Sequence, residues 1–261
     1  MYNFPEIRSA LDIFWSGFAV HLKKEGIKNI PLALTHGNSV KSLWDDPKLL
    51  ITQCCGYDLI SHYKNVLVPV AVPHYSAPGC SGSEYSSFIV VRDDNPVFNV
   101  LEMQGSVAVI NGPESHSGMS ALRHLVASHS HKGRFFADIK ISGSHIDSID
   151  YVKRGLADVA PIDCVAYALL EKHRPQTVWG LRVLGRTFCA PAPPYVIRET
   201  GQAELAERFW NALSQTYEDP GLRSARQNLF LKDVEQVTVD YYEKIRAFEE
   251  HAVDLDYPVL N

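Results

Sequence analysis

The segment Asn111-Gly112-Pro113-Glu114-Ser115-His116-Ser117-Gly118-Met119 follows an apolar run and leads into a stretch of helical periodicity. The first turn of a helix has backbone N–H groups without intrahelical partners and the positive end of the dipole. Ser115 and Ser117 add hydroxyl donors without charge, His116 stands between them, and Gly118 leaves room beside the backbone. Read for chemistry, this is an anion site made of neutral donors. Read plainly, it is a serine-capped helix start. A second segment, Ile141-Ser142-Gly143-Ser144-His145-Ile146, repeats the arrangement after another apolar run. His145 can donate to an oxygen and titrates near neutral pH; the plain alternative is a cap with an unrelated histidine.

A third segment, Ala160-Pro161-Ile162-Asp163-Cys164, ends an apolar strand in a carboxylate. A carboxylate accepts a hydrogen bond only from a ligand that still carries a proton. Monoprotonated phosphate or phosphonate carries one; sulfate does not. Asp163 is thus expected to select the ligand, leaving an unpaired acceptor against the wrong oxyanion. Its plain alternative is an N-cap for a helix beginning at Val165. From the other half of the chain, Tyr2, the turn 52–57 with Cys55, and the stretch 73–83 with Tyr75 are expected to face the ligand.

Such turns need strands and helices to hold them. Short apolar runs alternate with amphipathic stretches, an α/β pattern. The spacing predicts a helix over 5–25, with Phe4, Ile7, Leu11, Phe14, Trp15, Phe18 and Leu22 on one face. Strands are expected at 31–35, 49–53, 66–72, 87–91, 107–110, 138–141, 158–162 and 181–186. Helices are expected at 118–128, 146–154, 165–172, 203–217 and 241–250. In a doubly wound lobe the chemically interesting turns sit at the carboxyl ends of parallel strands, where ligands bind. The stretch 92–105, with Asp93, Asp94, Asn95 and Pro96 in succession, and the proline-rich stretch 189–194 read as connections. They predict a second lobe at 95–188 and a discontinuous first lobe from 1–94 plus 189–261. Two such crossings suit a hinge-closing clamp.

The 261 residues are 46% hydrophobic, with a net charge of −5. That balance gives no reason to expect nucleic acid as a partner, and it places the burden of attracting an anion on the local site. No apolar run reaches the 18 or so residues of a spanning helix, so no membrane insertion is expected. Five cysteines, Cys54, Cys55, Cys80, Cys164 and Cys189, are an odd set with one adjacent pair, which fits free thiols better than a disulfide scaffold. His116, His124, His129 and His131 do not suggest a metal, because His124 and His129 are five apart on a helix. No cofactor is expected. The opening Met-Tyr-Asn-Phe-Pro-Glu lacks the basic and apolar regions of a signal peptide. The expected location is the periplasm if such a peptide was removed and the cytoplasm otherwise.

Taken in order, Asn-Gly-Pro-Glu-Ser-His-Ser-Gly (111–118), Ser-Gly-Ser-His-Ile-Asp-Ser-Ile (142–149) and Gly-Leu-Ala-Asp-Val-Ala-Pro-Ile-Asp (155–163) resemble the phosphate/phosphite/phosphonate-binding proteins of ABC importers. Leu-Ile-Thr-Gln-Cys-Cys-Gly-Tyr (50–57) extends the likeness, which covers roughly residues 2–200. The resemblance implies a two-lobe type 2 periplasmic-binding fold, a small phosphate-like or phosphonate-like oxyanion as ligand, and an ABC permease as partner. It aligns Ser115, His116 and Ser117 with the family's hydroxyl-rich turn, His145 with its histidine, and Asp163 with its strand-end carboxylate. His116 departs from the commoner threonine or serine, and Cys54-Cys55 from the usual aromatics. The competing expectation is a cytoplasmic enzyme of the same fold, pyrimidine-synthase-like or menaquinone-pathway-like. A hydrolase is disfavoured because no Gly-x-Ser-x-Gly elbow is present.

Overall fold

Trp15, Phe18 and Leu22 do fall on one buried helix face in the computed structural model, which describes residues 2–37 and 39–261. The helices are α1 (Arg8–Lys24), α2 (Val40–Asp45), α3 (Gly56–Asp58), α4 (Ala121–Val126), α5 (His145–Lys153), α6 (Cys164–His173), α7 (Ala203–Glu218), α8 (Arg223–Asn228) and α9 (Glu243–Asp254). The strands are β1 (Thr52–Gln53), β2 (Leu67–Tyr75), β3 (Glu84–Tyr85), β4 (Ser87–Arg92), β5 (Val107–Ile110), β6 (Asp138–Ile141), β7 (Val159–Asp163), β8 (Leu181–Arg186), β9 (Ala190–Pro191), β10 (Tyr195–Arg198) and β11 (Leu231–Glu235). The strand expected at 31–35 does not form. Those residues are bends and coil, Leu32 is 97% exposed, and β1 occupies the sheet edge by pairing with β10. An apolar run without a partner strand and a covering layer has nothing to make it extended.

The chain divides into two compact units. The first comprises Met1–Ser76 and Pro191–Tyr242. Its antiparallel sheet runs β1-β10-β2-β11. Trp15, Phe18 and Leu22 of α1 meet Phe209, Ala212 and Leu213 of α7 over Val70, Ala71 and Ile197 of the sheet. Each large side chain buried here contributes about 1.5–3 kcal/mol, so the two amphipathic helices are held by packing rather than propensity.

The second unit comprises Ala77–Ala190 and Glu243–Asn261. Its sheet runs β6-β5-β7-β4-β8, with β5 parallel to β6 and β7 and β4 antiparallel to β7 and β8. Ile89, Val90 and Val91 of β4, with Val159, Ala160 and Ile162 of β7, have no exposed surface. Their nearly unbroken apolar runs are those of strands covered on both faces. Helices follow β5, β6 and β7 directly, so three helix starts lie at the carboxyl ends of three neighbouring parallel strands.

These bounds differ from those expected from sequence. Because β4 pairs on both sides with strands of the second unit, that unit starts before residue 87, and residues 92–105 run inside it. The proline-rich stretch 189–194 does contain a passage, between Ala190 and Pro191. Others fall at Ser76/Ala77 and Tyr242/Glu243, so the chain passes between units three times and α9 belongs to the second unit. Phe248 of α9 stacks on the His124 ring of α4, centroids 4.3 Å apart and planes 9° from parallel. Among the described residues no helix is long and apolar enough to cross a membrane.

Candidate functional site

The turn after β5 opens as a π-turn over His116–Ser120 that runs on without a break into α4. The amides of Met119 and Ser120 both bond to the Ser115 carbonyl, at 3.0 and 3.1 Å, which widens the first turn. Ser115 is the N-cap: its Oγ accepts from the Gly118 amide at 3.0 Å. The plain reading of that serine therefore holds, and its own hydroxyl hydrogen stays a donor. Gly118 is demanded by a close approach. A Cβ there would lie 1.6 Å from Asn111 Oδ1 and 2.7 Å from Asn111 Cγ. Asn111 itself stood inside the motif without being singled out; its short amide immediately after a strand was the available signal.

Ser117 is buried, and its Oγ lies 3.0 Å from His145 Nε2, joining the start of the first helix to that of α5. Ser87 Oγ of β4 donates to the Ser117 carbonyl at 2.8 Å, fixing that turn to the sheet. On the other side Ser144 caps α5 by accepting from the Asp147 amide at 3.1 Å. Burial is the main cause that lowers the His145 pKa to about 4, opposed in part by the Pro161 carbonyl, so at neutral pH the ring is uncharged.

His116 has a different environment from its serine neighbours. It is 2% exposed, with its ring 5.6 Å from that of Phe248 and 6.3 Å from that of Tyr85. Burial, then the nearby His124, lowers its pKa to about 3. The residue is a neutral ring in an aromatic pocket. Asp163, 2% exposed, ends β7 and caps α6: Oδ1 accepts from the amides of Val165 and Ala166 at 2.8 and 3.0 Å. The carboxylate compensates two free amides and the dipole of α6.

The structure thus groups Ser115, Ser117, Gly118, His145 and Asp163 at the carboxyl ends of β5, β6 and β7. Around the first two turns, Asn111 Oδ1, His116 Nδ1 and Ser120 Oγ are buried without a hydrogen-bond partner. Each such atom costs about 1–3 kcal/mol, and three in one neighbourhood are a concentration of unused polarity.

Tyr2, Cys55 and Tyr75 all belong to the first unit. Tyr2 and Tyr75 meet edge to face, centroids 5.6 Å apart. Gln53 Nε2 donates to Tyr75 Oη at 3.0 Å and to the Pro193 carbonyl at 3.3 Å. Buried Cys55 occupies the position before α3 without a side-chain capping bond, and the helix continues as a π-turn over Leu59–Tyr63. Gln53 is a member that the sequence reading passed over; a polar residue closing a strand before a turn was its signal.

Residues 54–243 match the family model described as ABC transporter, phosphonate, periplasmic substrate-binding protein. No curated protein matches the chain. Among solved structures, PhnD1 from Prochlorococcus marinus in complex with methylphosphonate is 15% identical, with a TM-score of 0.72 over 95% of this chain and 94% of that one. A binding protein component of an ABC phosphonate transporter from Pseudomonas aeruginosa is 17% identical, TM-score 0.71, covering 93% and 82%. XAC2383 from Xanthomonas citri bound to ATP is 14% identical, TM-score 0.69, covering 95% of each chain. These likenesses identify the type 2 periplasmic-binding fold, and the family match over most of the length shows that the chain belongs to the phosphonate-type periplasmic substrate-binding proteins of ABC transporters.

Proposed function

We propose that this chain holds a small phosphate-like or phosphonate-like oxyanion at the start of the 116–126 helix and presents it to an ABC permease in the periplasm. The observation that carries the reading is the 3.0 Å contact between Ser117 Oγ and His145 Nε2, which joins two of the three helix starts. With Nδ1–H turned to the Pro161 carbonyl, neutral His145 accepts at Nε2 from the Ser117 hydroxyl, and that hydroxyl can turn from the ring to an arriving anion. Both groups stay uncharged, so an acidic chain binds an anion with aligned dipoles instead of net charge. The methylphosphonate in the Prochlorococcus structure is that protein's ligand and is the natural first probe here. The enzyme alternative has no support, because the matched family is that of a transporter's binding component.

Ser117→Ala removes the hydroxyl donor. Titration calorimetry with methylphosphonate and phosphate should show binding weaker by about 1–3 kcal/mol. An unchanged dissociation constant would place the anion elsewhere.

Asp163 is read as serving twice, as the cap of α6 and as acceptor for a proton-bearing ligand oxygen. Asparagine caps a helix about as well as aspartate, so Asp163→Asn should keep the unfolding midpoint. It should narrow the preference for phosphate over sulfate, since the amide carries no charge to repel a fully ionised anion. Measuring both anions against both proteins at one pH decides the matter. A phosphate-to-sulfate ratio that does not move leaves Asp163 a cap only.

A further inference from the structure

Two cysteines of the second unit, 84 residues apart in sequence, have their sulfurs 3.4 Å apart: Cys80 and Cys164. Cys80 is partly exposed; Cys164, the first residue of α6, is buried. The two backbones are brought together by more than the sulfurs. Ser86 Oγ donates to the Gly79 carbonyl at 2.9 Å, and the Cys164 amide donates to the Ser86 carbonyl at 3.1 Å. Gly79 has a positive φ of 92°, and a Cβ there would lie 2.9 Å from Cys164 Cβ. Only a glycine lets this turn press so closely on the start of α6. A disulfide has its sulfurs about 2.05 Å apart, so closure needs a movement of about 1.4 Å, within the reach of side-chain rotation and a small shift of the turn.

We infer that Cys80 and Cys164 are a site of oxidative modification, forming an intramolecular disulfide that clips the turn after the Ser76/Ala77 passage to the helix capped by Asp163. The oxidant is a small disulfide or a thiol–disulfide oxidant protein, the class of reagent available in an oxidising compartment. The Cys80 thiolate attacks one sulfur of the oxidant and displaces a first thiol. The Cys164 sulfur then attacks the mixed disulfide at Cys80 and displaces a second. Each cysteine loses one hydrogen, the oxidant takes up two electrons and two protons, and two thiols leave. The hydrogen bond to Cys164, then burial, pushes the Cys80 thiol pKa up, so the uncatalysed reaction is slow at neutral pH and speeds up toward alkaline pH. The bond would close a long loop and lock the segment bearing Asp163 without using any group of the proposed anion site.

The test starts from the reduced full-length chain, incubated with oxidised glutathione at pH 7 and pH 9, alkylated and mapped by mass spectrometry. The expected product has two fewer alkylatable thiols, a mass lower by about 2 Da before alkylation, and one cross-linked peptide joining Cys80 to Cys164. Cys80→Ser should abolish it and Cys189→Ser should leave it. The wild-type map needs no variant to fold, so the outcome stands even if a substitution disturbs the core. Retention of all five thiols by the folded protein, or a product that joins Cys80 to Cys189 or Cys54 to Cys55, overturns the inference.

Discussion

Acidification from pH 7 to pH 4 is expected to strip about 6 kcal/mol from the stability of the second unit through two histidines. The ordinary histidine pKa is 6.5, whereas burial lowers His116 to about 3 and His145 to about 4. Below 6.5 the unfolded chain protonates both rings while the folded chain keeps them neutral. The unfolded state therefore binds more protons, and unfolding becomes easier as pH falls through that window. Each ring costs about 1.4 kcal/mol per pH unit there, giving about 3 kcal/mol at pH 4 for each of the two. Against a typical total of 5–15 kcal/mol, that loss brings the unit near its unfolding midpoint. Urea unfolding at pH 7, 6, 5 and 4 measures it. His116→Phe keeps a ring between Tyr85 and Phe248 but cannot titrate, so its profile should be flatter by roughly half. Carboxylates titrate in both proteins and cancel in the difference. Parallel profiles would mean that His116 protonates as readily folded as unfolded.

Gly118→Ala is the substitution expected to do most damage at the site. The new methyl carbon would sit 1.6 Å from Asn111 Oδ1, a distance no non-bonded pair tolerates. Alanine favours a helix over glycine by about 1 kcal/mol, but overpacking of this severity costs about 1–3 kcal/mol or more. Asn111 cannot simply retreat with its backbone, since its carbonyl accepts from the Gly143 amide at 3.1 Å and ties the turn after β5 to the turn after β6. The net expectation is a lower unfolding midpoint. Under the proposed function, methylphosphonate affinity should also fall about 100-fold, equivalent to about 2.7 kcal/mol, because the methyl stands where the anion approaches the backbone. A second substitution separates the two effects. Asn111→Ala on top of Gly118→Ala removes the obstructing amide and should restore stability while leaving affinity low. Wild-type stability and affinity in Gly118→Ala alone would show that the turn moves freely and that no anion depends on it.

Much of the second unit's local structure was legible in the sequence, whereas the strand expected at 31–35 did not form and β10 and β11 were not foreseen. The strands at 107–110 and 138–141 and the starts of α5 and α6 follow from apolar runs that end in Ser144 and Asp163, because a side chain caps its own helix two or three residues away. The three ordered motifs carried the family as well. Tertiary structure alone decided what spans longer separations. Ser117 meets His145 across 28 residues, and Cys80 meets Cys164 across 84, because strand order places their turns side by side. The motif placed His116 in a run of donors, yet helix phase turns it toward Tyr85 and Phe248, the latter on a helix that returns from the end of the chain. The stretch 92–105 looked like a passage between lobes because Asp93, Asp94, Asn95 and Pro96 in succession break regular structure. Whether a break leaves a unit or turns back within it depends on which strands β4 pairs with, and hydrogen bonds between distant strands are not written in local composition.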